Sequence, residues 1–285
     1  MRIPTVVFYA AMAFAIVGSC GSALAQLKTS TVRSHGDIPY VATLSDTVQD
    51  MLHMAQVGED DVVYDLGSGD GRIVIAAVRD FGARRAVGIE IDAELIQESR
   101  KNARAAGVED RVQFIHGDLF TNDFSEATVV SIYLGRVPNI ALRSKMLADL
   151  APGSHIVSHA FGMGEWPPDK TQIVRKRHLG MLGIMGMPFS HNQNVPDYSL
   201  YSHAIGKSSQ IFVWVIPAPV AGVWRGEIET TLGPRKFKMR LNQRLSKVNG
   251  TFIMPGSNKL FGKIDASLWG DHLRFYGRPK NVRFG

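Results

Sequence analysis

The chain has 285 residues, 45% hydrophobic and 20% charged, a globular composition that excludes intrinsic disorder and suffices for one large domain with a smaller one. Its single cysteine, Cys20, excludes a disulfide framework and a thiolate zinc site. The net charge of +6 is uneven, because residues 221–285 hold 13 Lys and Arg against 4 Asp and Glu. In chain order, residues 1–25 come first and read as a signal peptide: Arg2 supplies a short positive start, Val6 to Val17 is apolar, and Ala23-Leu24-Ala25 ends in a small-x-small cleavage pattern. The apolar run is far shorter than the roughly 20 residues that span a bilayer. The expectation is therefore an exported chain, periplasmic or extracellular, beginning at Gln26 and free of cysteine, with anchoring by an uncleaved leader as the alternative.

From Thr43 to His159 helical and strand patterns alternate at the spacing of βαβ units, which predicts a parallel sheet covered on both faces. Thr43 or Ser45 is expected to cap a helix whose apolar positions, Val48, Met51, Leu52 and Ala55, recur at three and four. Strands are expected at Val62 to Asp65, Ala86 to Glu90, Val112 to His116, Thr128 to Leu134 and Ser154 to His159. The clearest helix runs from a cap at Asp92 to a stop at Gly107. Two more strands, Gln172 to Arg177 and Gln210 to Val215, flank a Gly- and Met-rich insertion, residues 178–209, read as a mobile surface segment or a lid. The prediction is an α/β, Rossmann-like, open and mostly parallel seven-stranded sheet.

Pro217-Ala218-Pro219 marks a boundary, so the expected domains are 26–216 and 217–285. In the second, KFKMRLNQ alternates Phe237, Met239 and Leu241 with Lys238 and Arg240, and Thr251 to Met254, Lys259 to Asp265 and His272 to Phe275 look similar. A small antiparallel β domain follows from this. Its basic charge brings no RNA-binding aromatic motif, so nucleic acid is not expected. The readings left are a solvated sheet face, an acidic partner, or an anionic envelope or membrane surface.

The stretch VVYDLGSGDGRIVIAAV carries the chemistry. Gly67, Gly69 and Gly71 form G-x-G-x-G, common to dinucleotide and S-adenosylmethionine (AdoMet) sites, but Asp65 at the strand end and Asp70 inside the turn would repel a pyrophosphate. A cationic ligand is expected instead. AdoMet fits, since its methionine end carries an ammonium and a sulfonium and it has no phosphate; one or both carboxylates would accept from the amino group. Glu90, 25 residues after Asp65, closes the next strand, where a carboxylate accepts from ribose hydroxyls. Asp118 follows the third strand, placed to accept from an adenine amino group while Leu119 or Phe120 packs on the ring.

On these residues the chain resembles the class I, seven-β-strand AdoMet-dependent methyltransferases. The resemblance is closer to a bacterial group related to archaeal and mitochondrial protein-lysine methyltransferases, through Pro39-Tyr40-Val41-Ala42-Thr43, DLGSGDGR from Asp65 to Arg72, GIEID from Gly88 to Asp92, and Asp118-Leu119-Phe120. It covers residues 38–177, and Leu44 departs from it where the family often has proline. The resemblance implies AdoMet as cofactor and a protein lysine as acceptor, with a small-molecule acceptor as the alternative. A non-catalytic exported binding protein built on the same scaffold is the rival from another class.

Methyl transfer from a sulfonium is an in-line displacement that requires alignment and dryness but no covalent residue. Candidates near the acceptor are Tyr133 at the fourth strand end, His159 at the fifth, Tyr40 before the first helix, and Glu165 and Trp166. No metal is expected: His155 and His159, four apart on a strand, stand about 13 Å from each other.

Overall fold

The computed structural model describes residues 38, 40–175, 208–230, 233–253 and 260–279. The expected leader, residues 1–25, and residues 178–207 of the expected insertion lie outside them. The chain divides into two compact units, one running from 35 to 216 and one containing 217–285.

The larger unit opens with α1 (Ser45–Met54), followed by β1 (Val62–Leu66), α2 (Arg72–Arg79), β2 (Arg85–Glu90), α3 (Ala93–Ala105) and β3 (Val112–His116). Then come β4 (Val129–Ile132), α4 (Arg136–Asp149), β5 (His155–His159), β6 (Lys170–Arg175) and β7 (Ser208–Val215). These strands form one sheet in the order β3-β2-β1-β4-β5-β7-β6, with β1 to β5 parallel and β7 antiparallel to both its neighbours. β1 and β2 are buried along almost their whole length, as expected of strands sandwiched between helix layers.

Alternation along β5 separates the faces. Val157, Val213 opposite it on β7, and Ile211 two residues before Val213 join the core under α1, α2 and α3. Ser158, one residue on, receives a 3.1 Å hydrogen bond from Asn139 of α4, which puts α4 on the opposite face. The chain leaves β1 toward β2 and β4 toward β5, so the strand order reverses between β1 and β4. A crevice opens there, outside the carboxyl ends of the strands.

Caps show what local sequence decides. Asp92 accepts from Glu94 N and Leu95 N at 2.8 and 3.3 Å, and Gly107 adopts φ +67° just past α3, as expected. At α1 the expectation fails: the N-cap is Leu44, with no side-chain cap, and the Thr43 hydroxyl turns inward to His159 at 3.3 Å. The fourth strand also stops at Ile132, not Leu134, which leaves Tyr133 and Leu134 in the crevice beyond it.

The second unit contains a five-stranded antiparallel meander of β8 (Gly222–Thr230), β9 (Gly233–Arg244), β10 (Lys247–Ile253), β11 (Leu260–Trp269) and β12 (His272–Pro279). One face is apolar, with Met239, Leu241, Val248 and Leu268 buried and the Phe237 and Phe252 rings stacked at 5.4 Å. Strand β8 is the element that the sequence pattern does not announce. Its Gly226 interrupts the alternation because a Cβ there would lie 2.7 Å from the Phe237 ring.

Candidate active site

The crevice is lined from the ends of four parallel strands: Asp65 in the end of β1 with Gly67 and Ser68 after it, Glu90 closing β2, Asp118 and Leu119 after β3, and Tyr133 after β4. The turn after β1 is made of left-handed glycines. Gly67, Gly69 and Gly71 have φ of +81°, +52° and +81°, a region closed to most side chains. The space above Gly69 is occupied as well: a Cβ on it would sit 2.2 Å from the Tyr40 ring, so the glycine is what lets Tyr40 fold down over the turn.

The three acids differ in what holds them. Glu90 accepts from Gly69 N at 2.9 Å with one oxygen, and from Ile91 N and Asp92 N at 2.8 and 3.0 Å with the other. It is a brace between the glycine turn and the start of α3 as well as an acceptor facing the crevice. Asp70 is bound by Arg72, through Nε at 2.9 Å and a terminal nitrogen at 2.5 Å, and it also accepts from the backbone N–H of Arg72, the first residue of α2, at 3.2 Å. Its charge is therefore compensated within the chain. Arg72 donates further to the Thr43 carbonyl at 2.8 Å and so ties the segment carrying Tyr40 to the turn.

Asp65 is the exception. It is buried at 2% exposure, and among the described residues no Lys, Arg or His pairs with it. Burial pushes its carboxyl from the ordinary 3.8 up to about 8; the Ser131 hydroxyl pulls the other way, and the Glu90 and Asp70 carboxylates add to the rise. A desolvated carboxylate without a countercharge is a receptor for a cation. An ammonium brought there would recover the energy lost by burial and return the group to its ionised form. That is the test AdoMet has to pass, and its amino group passes it. Glu90 presents its carboxylate to the same crevice. Asp118 uses Oδ1 to accept from Phe120 N at 2.9 Å, and Leu119 offers apolar surface beside it.

The expected acceptor-side residues separate into three kinds. Tyr133 lines the crevice, its ring 4.1 Å from that of His159 and 6.0 Å from that of Phe161. His159 is buried beneath it, with Nδ1 3.3 Å from Thr43 Oγ1 and Nε2 2.6 Å from Ser209 Oγ. It supports Tyr133 and does not line the crevice. The segment after it is held in place by a left-handed Ala160, φ +64°, and by Asn139 and Ser158, which both donate to the Phe161 carbonyl at 3.1 and 2.7 Å. Tyr40 is half-exposed at the rim, and burial, reinforced by the Asp70 carboxylate, raises its phenol to about 12. It remains a hydroxyl at neutral pH.

Trp166 is corrected to a core residue. It is 1% exposed, its ring lies 6.2 Å from that of Trp214, and its carbonyl accepts from Trp214 Nε1 at 3.0 Å. Glu165 is exposed and does not line the crevice. Two contributors were missed. Arg72 could have been inferred from its place two residues after Asp70 at a helix start. Ser209 carries no local signal, since it reaches His159 only through the β5–β7 pairing.

A doubly wound sheet with acids at three successive strand ends and a buried, cation-seeking carboxylate defines a class I AdoMet-dependent methyltransferase. The sequence comparisons agree. The family model for the ANTKMT methyltransferase domain matches residues 65–170. A protein-lysine N-methyltransferase of Saccharolobus islandicus is 45% identical over 52% of this chain and 94% of its own length. The adenine nucleotide translocase lysine N-methyltransferase of Mus musculus is 34% identical over 46% of this chain and 56% of its own, so the chain spans about half the length of that relative. Among solved structures, an RNA methyltransferase from Salinibacter ruber in complex with S-adenosyl-L-homocysteine is 43% identical, with 63% of this chain and 96% of that one covered and a TM-score of 0.49. The chain belongs to the protein-lysine N-methyltransferase family of AdoMet-dependent enzymes.

Proposed function

We propose that this enzyme transfers methyl groups from AdoMet to lysine side chains of a protein. The observation that supports this acceptor is the 45% identity extending over 94% of the archaeal protein-lysine N-methyltransferase. AdoMet supplies an electrophilic methyl carbon on a sulfonium. The chain's own residues hold and orient: Asp65 takes the ammonium, Glu90 the ribose hydroxyls, Asp118 and Leu119 the adenine, and the Gly67–Gly71 turn gives the room for close approach. Tyr133, fixed between His159 and Phe161, is the polar group available to orient an incoming amine along the line of displacement. Tyr40, folded over Gly69, narrows the entrance and limits water.

The acceptor is tested by incubating the full chain with methyl-labelled AdoMet and candidate protein substrates, then locating the label by mass spectrometry. Methyl-lysine formed by the native chain and not by Asp65→Asn supports the reading. Label on RNA or on a small molecule, with protein unlabelled, overturns the acceptor while leaving the cofactor site intact. Export belongs to the same proposal and rests on the leader pattern in residues 1–25; a mature N-terminus at Gln26 in an envelope fraction is its check. Contact of the basic C-terminal unit with an anionic partner belongs here too.

A further inference from the structure

In the C-terminal sheet, side-chain exposure alternates with a strict period of two along β9. Phe237, Met239 and Leu241 face inward, while Lys236, Lys238, Arg240 and Arg244 are exposed on the other side. Register extends that outer face across the neighbouring strands. Arg225 of β8 stands directly opposite Lys238, and Lys247 of β10 directly opposite Arg244. Arg274 of β12 lies in the row of Arg244 and Lys247. Seven exposed cations thus share one face, on a lattice of about 5 Å between strands and about 7 Å along them. Glu227, opposite Lys236, is the acid among the described side chains within that array.

Like charges placed directly opposite each other weaken a sheet, so an array of this kind lowers the stability of the free protein and favours something anionic lying across it. Two features say what. Trp269 has the same orientation as the cations, since its neighbour Leu268 is buried inward, and it stands 45% exposed at the β11–β12 turn, at the end of the face that carries Arg274. An exposed indole beside Lys and Arg is the arrangement found where protein meets the headgroup layer. A single-stranded nucleic acid would call for successive aromatic platforms along a groove, and among the described side chains this face carries one aromatic ring, the Trp269 indole at its edge.

We propose that the outer face of the C-terminal sheet is a membrane-docking surface that binds anionic lipid headgroups through its cation array, with Trp269 entering the interfacial layer. Each cation near an anionic leaflet contributes about fivefold to partitioning. The inference is independent of methyl transfer, and its test uses no AdoMet.

The full chain is floated with vesicles of neutral phosphatidylcholine and with vesicles containing phosphatidylglycerol, at low and at high salt. Because an uncleaved leader would insert into both kinds, the readout is their ratio. The expected result is at least tenfold more protein on anionic vesicles at low salt, a preference lost at high salt. The doubles Lys238→Glu with Arg240→Glu and Arg244→Glu with Lys247→Glu should each reduce that preference tenfold or more, and the first should hold or raise the melting temperature. Trp269→Ala should reduce it severalfold and abolish the blue shift of fluorescence on binding. Equal partitioning to both vesicles, or undiminished preference in folded charge-reversed variants, overturns the proposal. Capture of RNA oligomers with no vesicle preference overturns it in favour of nucleic acid.

Discussion

The two units of this chain use charge in opposite ways. In the α/β unit the carboxylates that matter are few and sit at strand ends: Asp65 buried without a countercharge among the described residues, Glu90 bonded to three backbone N–H groups, Asp70 paired with Arg72. In the β unit the cations are many, exposed, and spread over one sheet face. The difference teaches where a charge acquires specificity. A desolvated carboxylate discriminates, because the energy of leaving it unsatisfied is large and a ligand of the right charge and size removes it. An exposed cation is screened and individually worth little, so an array of them recognises charge density and not a particular molecule.

Substitutions can break this comparison or sharpen it. The largest expected effect is on the glycine turn. Gly71→Ala places a Cβ about 2.6 Å from the Phe114 ring at a residue with φ +81°, and combined strain and overpacking should destabilise the α/β unit by about 3 kcal/mol or more. Urea denaturation with hydrogen exchange in β1 and β2 reads it, and an unshifted midpoint would show that the turn tolerates a side chain.

Next comes the buried carboxylate. Asp65→Asn removes the charge without the shape, and loss of a charge-assisted hydrogen bond should weaken AdoMet binding by about 2 kcal/mol, measured by calorimetry. The native chain should bind more tightly as pH rises toward about 8, because the carboxyl must release its proton to meet the ammonium. The ligand-free protein should behave in reverse. The folded carboxyl keeps its proton to about 8 while an unfolded one releases it near 3.8, so the folded state binds more protons across that window and loses stability as pH rises through it. Asp65→Asn should flatten this part of both profiles. Glu90→Ala is a poorer probe, since it also removes the brace between Gly69 and the start of α3.

A smaller effect is expected at Asp92, where Ala removes the cap of α3 and should cost about 1 kcal/mol in thermal or chemical denaturation while Asp65 stays in place. The smallest is on the other unit. Lys238→Glu should move stability by no more than about 0.5 kcal/mol, toward stabilisation, because it replaces a like-charge pair with Arg225 by an opposite one. A large loss there would mean that the outer face is structural after all.

Much of the fold was legible because its signals are local. Buried parallel strands read as short apolar runs, α3 carried both its cap and its stop, and β9 displayed its alternation openly. Strand β8 was not legible, because Gly226 yields its space to a ring on the neighbouring strand, and the sequence of β8 records only the gap. At the site, the acids could be found because each follows an apolar run. What each acid does could not, since Asp70 and Asp65 look alike in sequence and differ in what folds around them.

From sequence alone came the order of the elements in the α/β unit, the glycine turn and the placing of carboxylates at successive strand ends, since these depend on residue type, spacing and backbone preference over a few positions. Tertiary structure decided which carboxylate is buried with no basic partner among the described residues, that Thr43 and Ser209 converge on His159 beneath Tyr133, and that Trp166 belongs to the core. It also decided that cations of four strands share one face. Desolvation and long-range pairing set these outcomes, and both are properties of neighbours that the chain brings together only when it folds.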